Sequence, residues 1–202
     1  MDLKETYNKI ALDWSKDHMN DDWWVKGTDK FISFLNPGSK ILDVGCGPGN
    51  KADYFIKRGF SVVGIDFSEN MIAIAKRDVP GGTFKVLDMR YADKLEGEFD
   101  AVFMQASLLH IPKKEAEGVV RGFVGKLSNG GFLYVAVKET KPGTEEEGIK
   151  TDDDYGYEYR RFFSYFTLDE IKLIFRNLGL SAVYEGVTPL GNTRWLEIVG
   201  KK

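Results

Sequence analysis

The chemistry legible in this 202-residue chain concentrates in Ile41-Leu42-Asp43-Val44-Gly45-Cys46-Gly47-Pro48-Gly49-Asn50. A short apolar run that reads as a buried strand leads into three glycines at alternate positions, and a helical pattern follows. Glycine permits positive φ and lets the backbone approach a ligand where a Cβ would collide. A helix N-terminus adds free N–H groups and a partial positive charge. In open α/β sheets, ligands sit beyond the carboxyl ends of the strands. The stretch therefore predicts a cofactor-binding loop. A dinucleotide fingerprint, G-x-G-x-x-G, would require glycine where Asn50 stands. Cys46 has no basic sequence neighbour and reads as a small packed side chain rather than a nucleophile.

The elements around this loop alternate. Strands are predicted at 40–44, 61–65, 83–87, 99–104 and 131–137, with helices near 50–58, 69–77, 112–127 and 168–177. Ser68 reads as an N-cap, and Thr167 with Glu170 as a capping box. Two late strands, near 181–187 and 194–200, are joined by a turn holding Pro189, Gly191 and Asn192. No helix fits between them, so they form an antiparallel hairpin. Alternating strands and helices imply parallel pairing with right-handed crossovers. The expected fold is an α/β, Rossmann-like, doubly wound sheet of seven strands, mostly parallel, with a C-terminal antiparallel hairpin and helices on both faces. Within a single domain, residues 1–36 are expected as an N-terminal helical cap and 38–139 as the cofactor-binding core. Residues 140–166 are expected as a lid or acceptor insert, and 167–202 as the final helix and hairpin.

Composition narrows the function classes. Net charge is −3 with no dense basic patch, which argues against a nucleic-acid partner. No apolar run is long enough to span a membrane, and the charged first residues lack a signal-peptide core. One cysteine excludes an internal disulfide and fits a reducing, cytoplasmic setting. Two histidines without a cysteine partner set predict no metal site. Asp152, Asp153 and Asp154 read as a solvated charge run. Gly118, Gly122 and Gly125 share one side of a predicted helix, as if packed closely on a neighbour.

The form D-x-G-x-G-x-G, from Asp43 to Gly49, resembles the first motif of class I S-adenosylmethionine-dependent methyltransferases, and the likeness runs over about residues 38–200. It implies an enzyme of small-molecule type that uses S-adenosyl-L-methionine and releases S-adenosyl-L-homocysteine. It also implies site residues. Asp43, Gly45, Cys46, Gly47 and Gly49 form the cofactor loop. Asp66, ending the second strand, matches the acid that accepts both ribose hydroxyls, and Phe67 packs on adenine. Asp88 and Met89 match the adenine-reading position. Gln105 and Ala106 match the segment beside the methionine part, and Tyr7 an N-terminal tyrosine folded over the cofactor.

Methyl transfer from a sulfonium is an in-line displacement that needs positioning more than covalent catalysis. A hydroxyl acceptor would also need a base, and His110, at the carboxyl edge after the fourth strand, is the candidate, beside its alternative as a structural histidine bonded to a carbonyl. Trp14, Tyr157, Arg160 and Arg161 are the candidate acceptor contacts. One of the arginines would clamp a carboxylate or phosphate, unless the pair merely offsets the acids at 145–158. The N-P-P-[YF] motif is absent after the fourth strand, where Gln105-Ala106-Ser107-Leu108 stands, and a small-molecule acceptor is favoured. Two other functions stay open: a nicotinamide-dependent oxidoreductase, and a non-catalytic methyltransferase-like domain that only binds cofactor.

Overall fold

The computed structural model describes residues 2–202. Among these residues nine strands and six α-helices follow one another. They are α1 (Leu3–Asp17), α2 (Val25–Ile32), β1 (Lys40–Val44), α3 (Asn50–Ile56), β2 (Ser61–Asp66), α4 (Glu69–Asp78), β3 (Thr83–Val86) and β4 (Phe99–Gln105). Then come α5 (Lys113–Val124), β5 (Leu127–Lys138), β6 (Glu147–Asp152), β7 (Tyr159–Ser164), α6 (Leu168–Asn177), β8 (Ser181–Leu190) and β9 (Thr193–Lys201). The main sheet has seven strands in the order β3-β2-β1-β4-β5-β9-β8. β1 through β5 pair in parallel, and β9 runs antiparallel to both β5 and β8. The expected doubly wound sheet with its terminal hairpin is present.

Two apolar layers cover the sheet. On one face Phe31 of α2, Ala52 and Phe55 of α3, and Ile72 and Ala75 of α4 pack on Ile41, Phe103 and Tyr134. On the other, Val120 and Phe123 of α5 and Ile171 and Phe175 of α6 pack on Leu42, Val102 and Val135. The chain winds outward from β1 and then, from β4, in the opposite direction. The cleft between the carboxyl ends of β1 and β4 is the topological switch point. Local signals hold where tertiary packing agrees with them. Ser68 accepts from Met71 N, and Thr167 with Glu170 makes both bonds of the capping box. Gly122 faces Ala92 of a short 3₁₀ turn, so one glycine of the α5 set has the close neighbour that spacing implied. An added Cβ at Gly118 would meet nothing within 4 Å.

Three features differ from expectation. Residues 147–164, within the expected lid or acceptor insert, hold an antiparallel two-stranded sheet, β6–β7, where no strand is predicted. With it, Asp152 leaves the predicted solvated run: it is buried and bonded to Arg161. The segment expected as a cap divides. α1 lies over the carboxyl edge, where Tyr7, Ile10 and Ala11 pack on Met71 and Ile74 of α4 and on Tyr159 of β7. α2 instead lies on the sheet, because Phe31 is long enough to reach the Phe55, Phe103 and Tyr134 rings. Last, the β8–β9 turn is only Gly191-Asn192. Pro189 sits inside β8, opposite Arg194, which an edge strand tolerates.

Candidate active site

The glycine loop is held by its neighbours before any ligand is considered. Gly45 N and Cys46 N both donate to Ile65 O, at 2.8 and 3.0 Å. Gly45 (φ +73°) has no room for a side chain: an added Cβ would stand 2.5 Å from Ser107 Cβ. Gly47 (φ +53°) faces open space within 4 Å, room that a Cβ would take. Asp66, at the end of β2, accepts from Gly47 N at 3.0 Å and from Ser68 N at 2.9 Å, so its carboxylate ties strand end to loop. Burial pushes the Asp66 carboxyl up to about 6, against the lowering effect of these N–H bonds. Behind the loop, burial pushes Asp43 up to about 7, partly offset by the nearby Lys51 ammonium.

These groups line a narrow cavity of about 80 Å³ that runs from the glycine loop to Phe67, Met71 and Met89, with Tyr7 and Trp14 over it. Its wall carries unspent polarity. Gln105 Oε1 and Nε2 and Ser107 Oγ are buried without a hydrogen-bond partner, as is Asp43 Oδ2 nearby. Buried polar atoms are normally paired, so an orphaned cluster here is the mark of a missing polar ligand. Ala106 adds strain: among the described residues it is the non-glycine residue with positive φ (54°). The set fits a nucleoside-like cofactor with a polar tail: a carboxylate for two hydroxyls, a glycine cradle, and an amide and a hydroxyl for the tail.

A second, larger cavity of about 280 Å³ adjoins the first and shares Tyr7, Trp14, Cys46, Pro48, Lys51, Ala106 and His110 with it. Its outer wall comes from distant parts of the chain: Lys138 at the end of β5, Tyr159, Arg161 and Phe163 of β7, and Trp195 of β9. Trp23 stacks on Trp195 at 4.5 Å. Between the two cavities, His110 bridges α1 and β7. Its Nδ1 lies 2.8 Å from Phe162 O and its Nε2 2.8 Å from the Tyr7 hydroxyl. A carbonyl can only accept, so Nδ1 carries the proton and Nε2 accepts from Tyr7. Burial lowers the His110 pKa to about 3 and pushes Tyr7 up to about 12.

Most of the expected residues converge, with corrections. His110 is in place, but its one lone pair is occupied and its basicity is low, which opposes the role of general base and supports that of a neutral strut. Arg161 lines the second cavity, whereas Arg160 is exposed and pairs with Glu158. Strand alternation along β7 separates the two. Tyr157 also lies off the cavity wall, its hydroxyl on Asp13 of α1 at 2.8 Å. Asp88 caps its own turn by accepting from Arg90 N and pairs with the Arg90 guanidinium. It nonetheless lines, with Met89 and Phe67, an open recess of about 740 Å³ beside the first cavity. Cys46 is buried and its thiol is pushed well above the ordinary range, as for a packed side chain. Sequence reasoning missed Ser107, Lys51, Lys138 and Trp195. Lys138 had a signal, since it ends the fifth strand at the ligand-binding edge.

Comparisons with known proteins bear on the family and the fold. Residues 41–131 match a family model described as a methyltransferase domain. Phosphoethanolamine N-methyltransferase of Triticum aestivum is 32% identical over 131 residues, covering 61% of this chain and 25% of that protein. Ubiquinone biosynthesis O-methyltransferase of Pseudomonas aeruginosa is 29% identical over 139 residues, 59% of each chain. The chain spans about a quarter of the length of the first of these relatives. Among solved structures, magnesium protoporphyrin IX methyltransferase of Synechocystis, with bound S-adenosylmethionine, has a TM-score of 0.76 at 19% identity, covering 99% of this chain and 95% of that one.

Proposed function

Starting from a chain that carries a class I S-adenosylmethionine-dependent methyltransferase domain, we propose that this protein methylates a small-molecule acceptor by in-line displacement. When bound, S-adenosyl-L-methionine supplies an electrophilic methyl on a sulfonium with its leaving group in place. The chain's own residues then have three tasks. Asp66 and the Gly45–Gly49 loop hold the ribose side, and Phe67, Asp88 and Met89 line the adenine side. Gln105, Ala106 and Ser107 face the methionine tail. Tyr7 and Trp14 cover the junction of the two cavities and exclude water, and the His110 strut holds the Tyr7 hydroxyl in place. Positioning of this kind carries much of the rate of a displacement.

With His110 neutral and bonded on both nitrogens, the site favours an acceptor that attacks without a strong base: a neutral amine, or an oxygen or sulfur already ionised. By their names, the relatives and neighbour described above are methyltransferases of phosphoethanolamine, of ubiquinone biosynthesis and of magnesium protoporphyrin IX. All three fit the small-molecule class, and none fixes the acceptor. A cytoplasmic setting accords with the single buried cysteine. Among the described residues no helix is long and apolar enough to cross a membrane.

The observation that carries this reading is the Asp66 carboxylate anchored to Gly47 N–H in the wall that also holds orphaned Gln105 and Ser107. Calorimetric titration with S-adenosyl-L-homocysteine and, separately, NADH tests it. S-adenosyl-L-homocysteine is expected to bind at micromolar strength, and Asp66→Ala to weaken it by about 1.5–3 kcal/mol, the scale of lost charge-assisted bonds. Tighter binding of NADH would favour the oxidoreductase. Radiolabelled methyl transfer over a metabolite panel then separates an enzyme from a domain that only binds cofactor.

A further inference from the structure

The outer wall of the larger cavity holds two cations that the protein engages incompletely: Lys138 has no ion-pair partner among the described residues, and Arg161, paired with Asp152, keeps a buried Nε–H unbonded. Arg161 is 8% exposed, and its guanidinium lies 5.0–5.3 Å from the ring centres of Trp14, Tyr159 and Phe163. One amino group donates to Asp152 Oδ2 at 2.7 Å, while its Nε–H is buried with no partner. Lys138 is half-buried, with its ammonium 4.1 Å from the Phe163 ring centre. Among the described residues it makes no salt bridge and no side-chain hydrogen bond. Asp152 is near enough to act on its charge but makes its ion pairs with Lys150 and Arg161 instead. Asp17, Asp21 and Asp154 line the same cavity, but none is within ion-pairing reach of Lys138. Asp17 and Asp154 are engaged by the hydroxyls of Tyr155 and Tyr159.

Burying a charge without a partner is costly, and an unpaired Arg N–H in an aromatic box adds to that cost. A ligand that brings a negative charge offsets both. A guanidinium and an ammonium near the same Phe163 ring in one cavity wall offer the oxygens of a carboxylate or phosphate a planar donor and a point charge. From this geometry we infer that the acceptor carries an oxyanion, a carboxylate or phosphate, seated on Arg161 and Lys138, with the rest of the molecule lying along the aromatic wall toward Ala106 and Cys46. The inference rests on the methyltransferase reading only in naming the ligand as acceptor. The oxyanion seat itself does not depend on it.

The test is calorimetric, on the full chain, with and without saturating S-adenosyl-L-homocysteine. Phenyl phosphate, benzoate and neutral benzamide are the probes. At least one anion is expected to bind roughly tenfold or more tightly than benzamide, and the better anion tells phosphate from carboxylate. Lys138→Met should remove that preference, Lys138→Arg should retain it, and benzamide binding should be the same in both. Thermal melts check that each variant folds, and the charge-retaining variant keeps the comparison informative if the methionine variant does not. Equal binding of anion and neutral probe at millimolar concentration would overturn the inference. So would a loss of S-adenosyl-L-homocysteine affinity in Lys138→Met as large as the loss of anion affinity, because the cations would then hold the cofactor's own carboxylate. Failure of S-adenosyl-L-homocysteine to bind the unaltered protein, with anion preference intact, counts against the methyltransferase reading alone.

Discussion

The two halves of the cleft are built on opposite plans. The half proposed for the cofactor is made from contiguous chain. Ten residues from Ile41 to Asn50 supply the strand, the turn and the helix start, and backbone bonds to Ile65 and the Asp66 carboxylate fix them. The half proposed for the acceptor is assembled from α1, the end of β5, β7 and the start of β9, segments more than a hundred residues apart in places. Its charged groups are incompletely paired, and its walls are aromatic. A half preorganised by its own backbone suits a ligand that does not change. A half made of side chains on separate elements lets the acceptor change by substitution without disturbing the loop, which is the pattern expected where function resides in sites grafted onto a shared fold.

If backbone geometry governs the first half, its most damaging substitution should be the smallest one. Gly45→Ala must hold an alanine at positive φ, about 1–2 kcal/mol. It must also place a Cβ against Ser107, about 1–3 kcal/mol more. A loss of about 2–5 kcal/mol is expected in denaturant unfolding, with cofactor binding lost in parallel. Ser107→Gly in the same chain should restore the overlap term and leave the φ term. Equal losses with and without Ser107→Gly would show that the steric contact is not what requires glycine.

The contrast also explains what could be read in advance. The seven-stranded sheet, the hairpin and the glycine loop rest on local periodicity and on residues close in sequence. Asp43, Gly45, Gly47, Asp66 and Gln105 could be placed because each lies at a strand end, and strand ends share one edge. The acceptor wall has no such rule. Arg160 and Arg161 are adjacent in sequence and only strand alternation tells them apart. Residues 147–164, rich in acids and tyrosines, do not show the β-branched pattern that marks a strand. His110 was found by position, but its protonation state depends on Phe162 O and Tyr7, partners 52 and 103 residues away.

Between the halves stands the Tyr7–His110–Phe162 link, and pH probes it. The native His110 pKa of about 3 lies below its unfolded value of about 6.5, so the unfolded chain binds the extra proton between them. Stability from this group is complete above about pH 6.5 and is lost as pH falls toward 3. Asp43 and Asp66, raised to about 7 and about 6, act in the opposite direction, because the native state holds their protons. Subtracting a His110→Gln curve isolates the histidine. From pH 7 to 5.5 the unaltered protein should lose about 1.2 kcal/mol relative to the variant. Parallel curves would mean that the imidazole protonates freely, and the case for it as a base would return.

The smallest effect should come from the residue beside Arg161. Arg160 is exposed, and its partner Glu158 is exposed too, at 60% and 61% of the side chains. Such pairs contribute roughly 0–1 kcal/mol. Arg160→Ala is therefore expected to shift stability by less than about 0.5 kcal/mol and to leave anion and cofactor binding unchanged. Arg161→Ala, one residue along, removes one of the two cationic partners of buried Asp152 together with the unspent Nε–H. If the two alanine variants behaved alike in the phenyl phosphate titration, the charge of the segment would matter rather than the geometry of one side chain. The acceptor half would then be a diffuse basic surface instead of a seat with a defined place for an oxyanion.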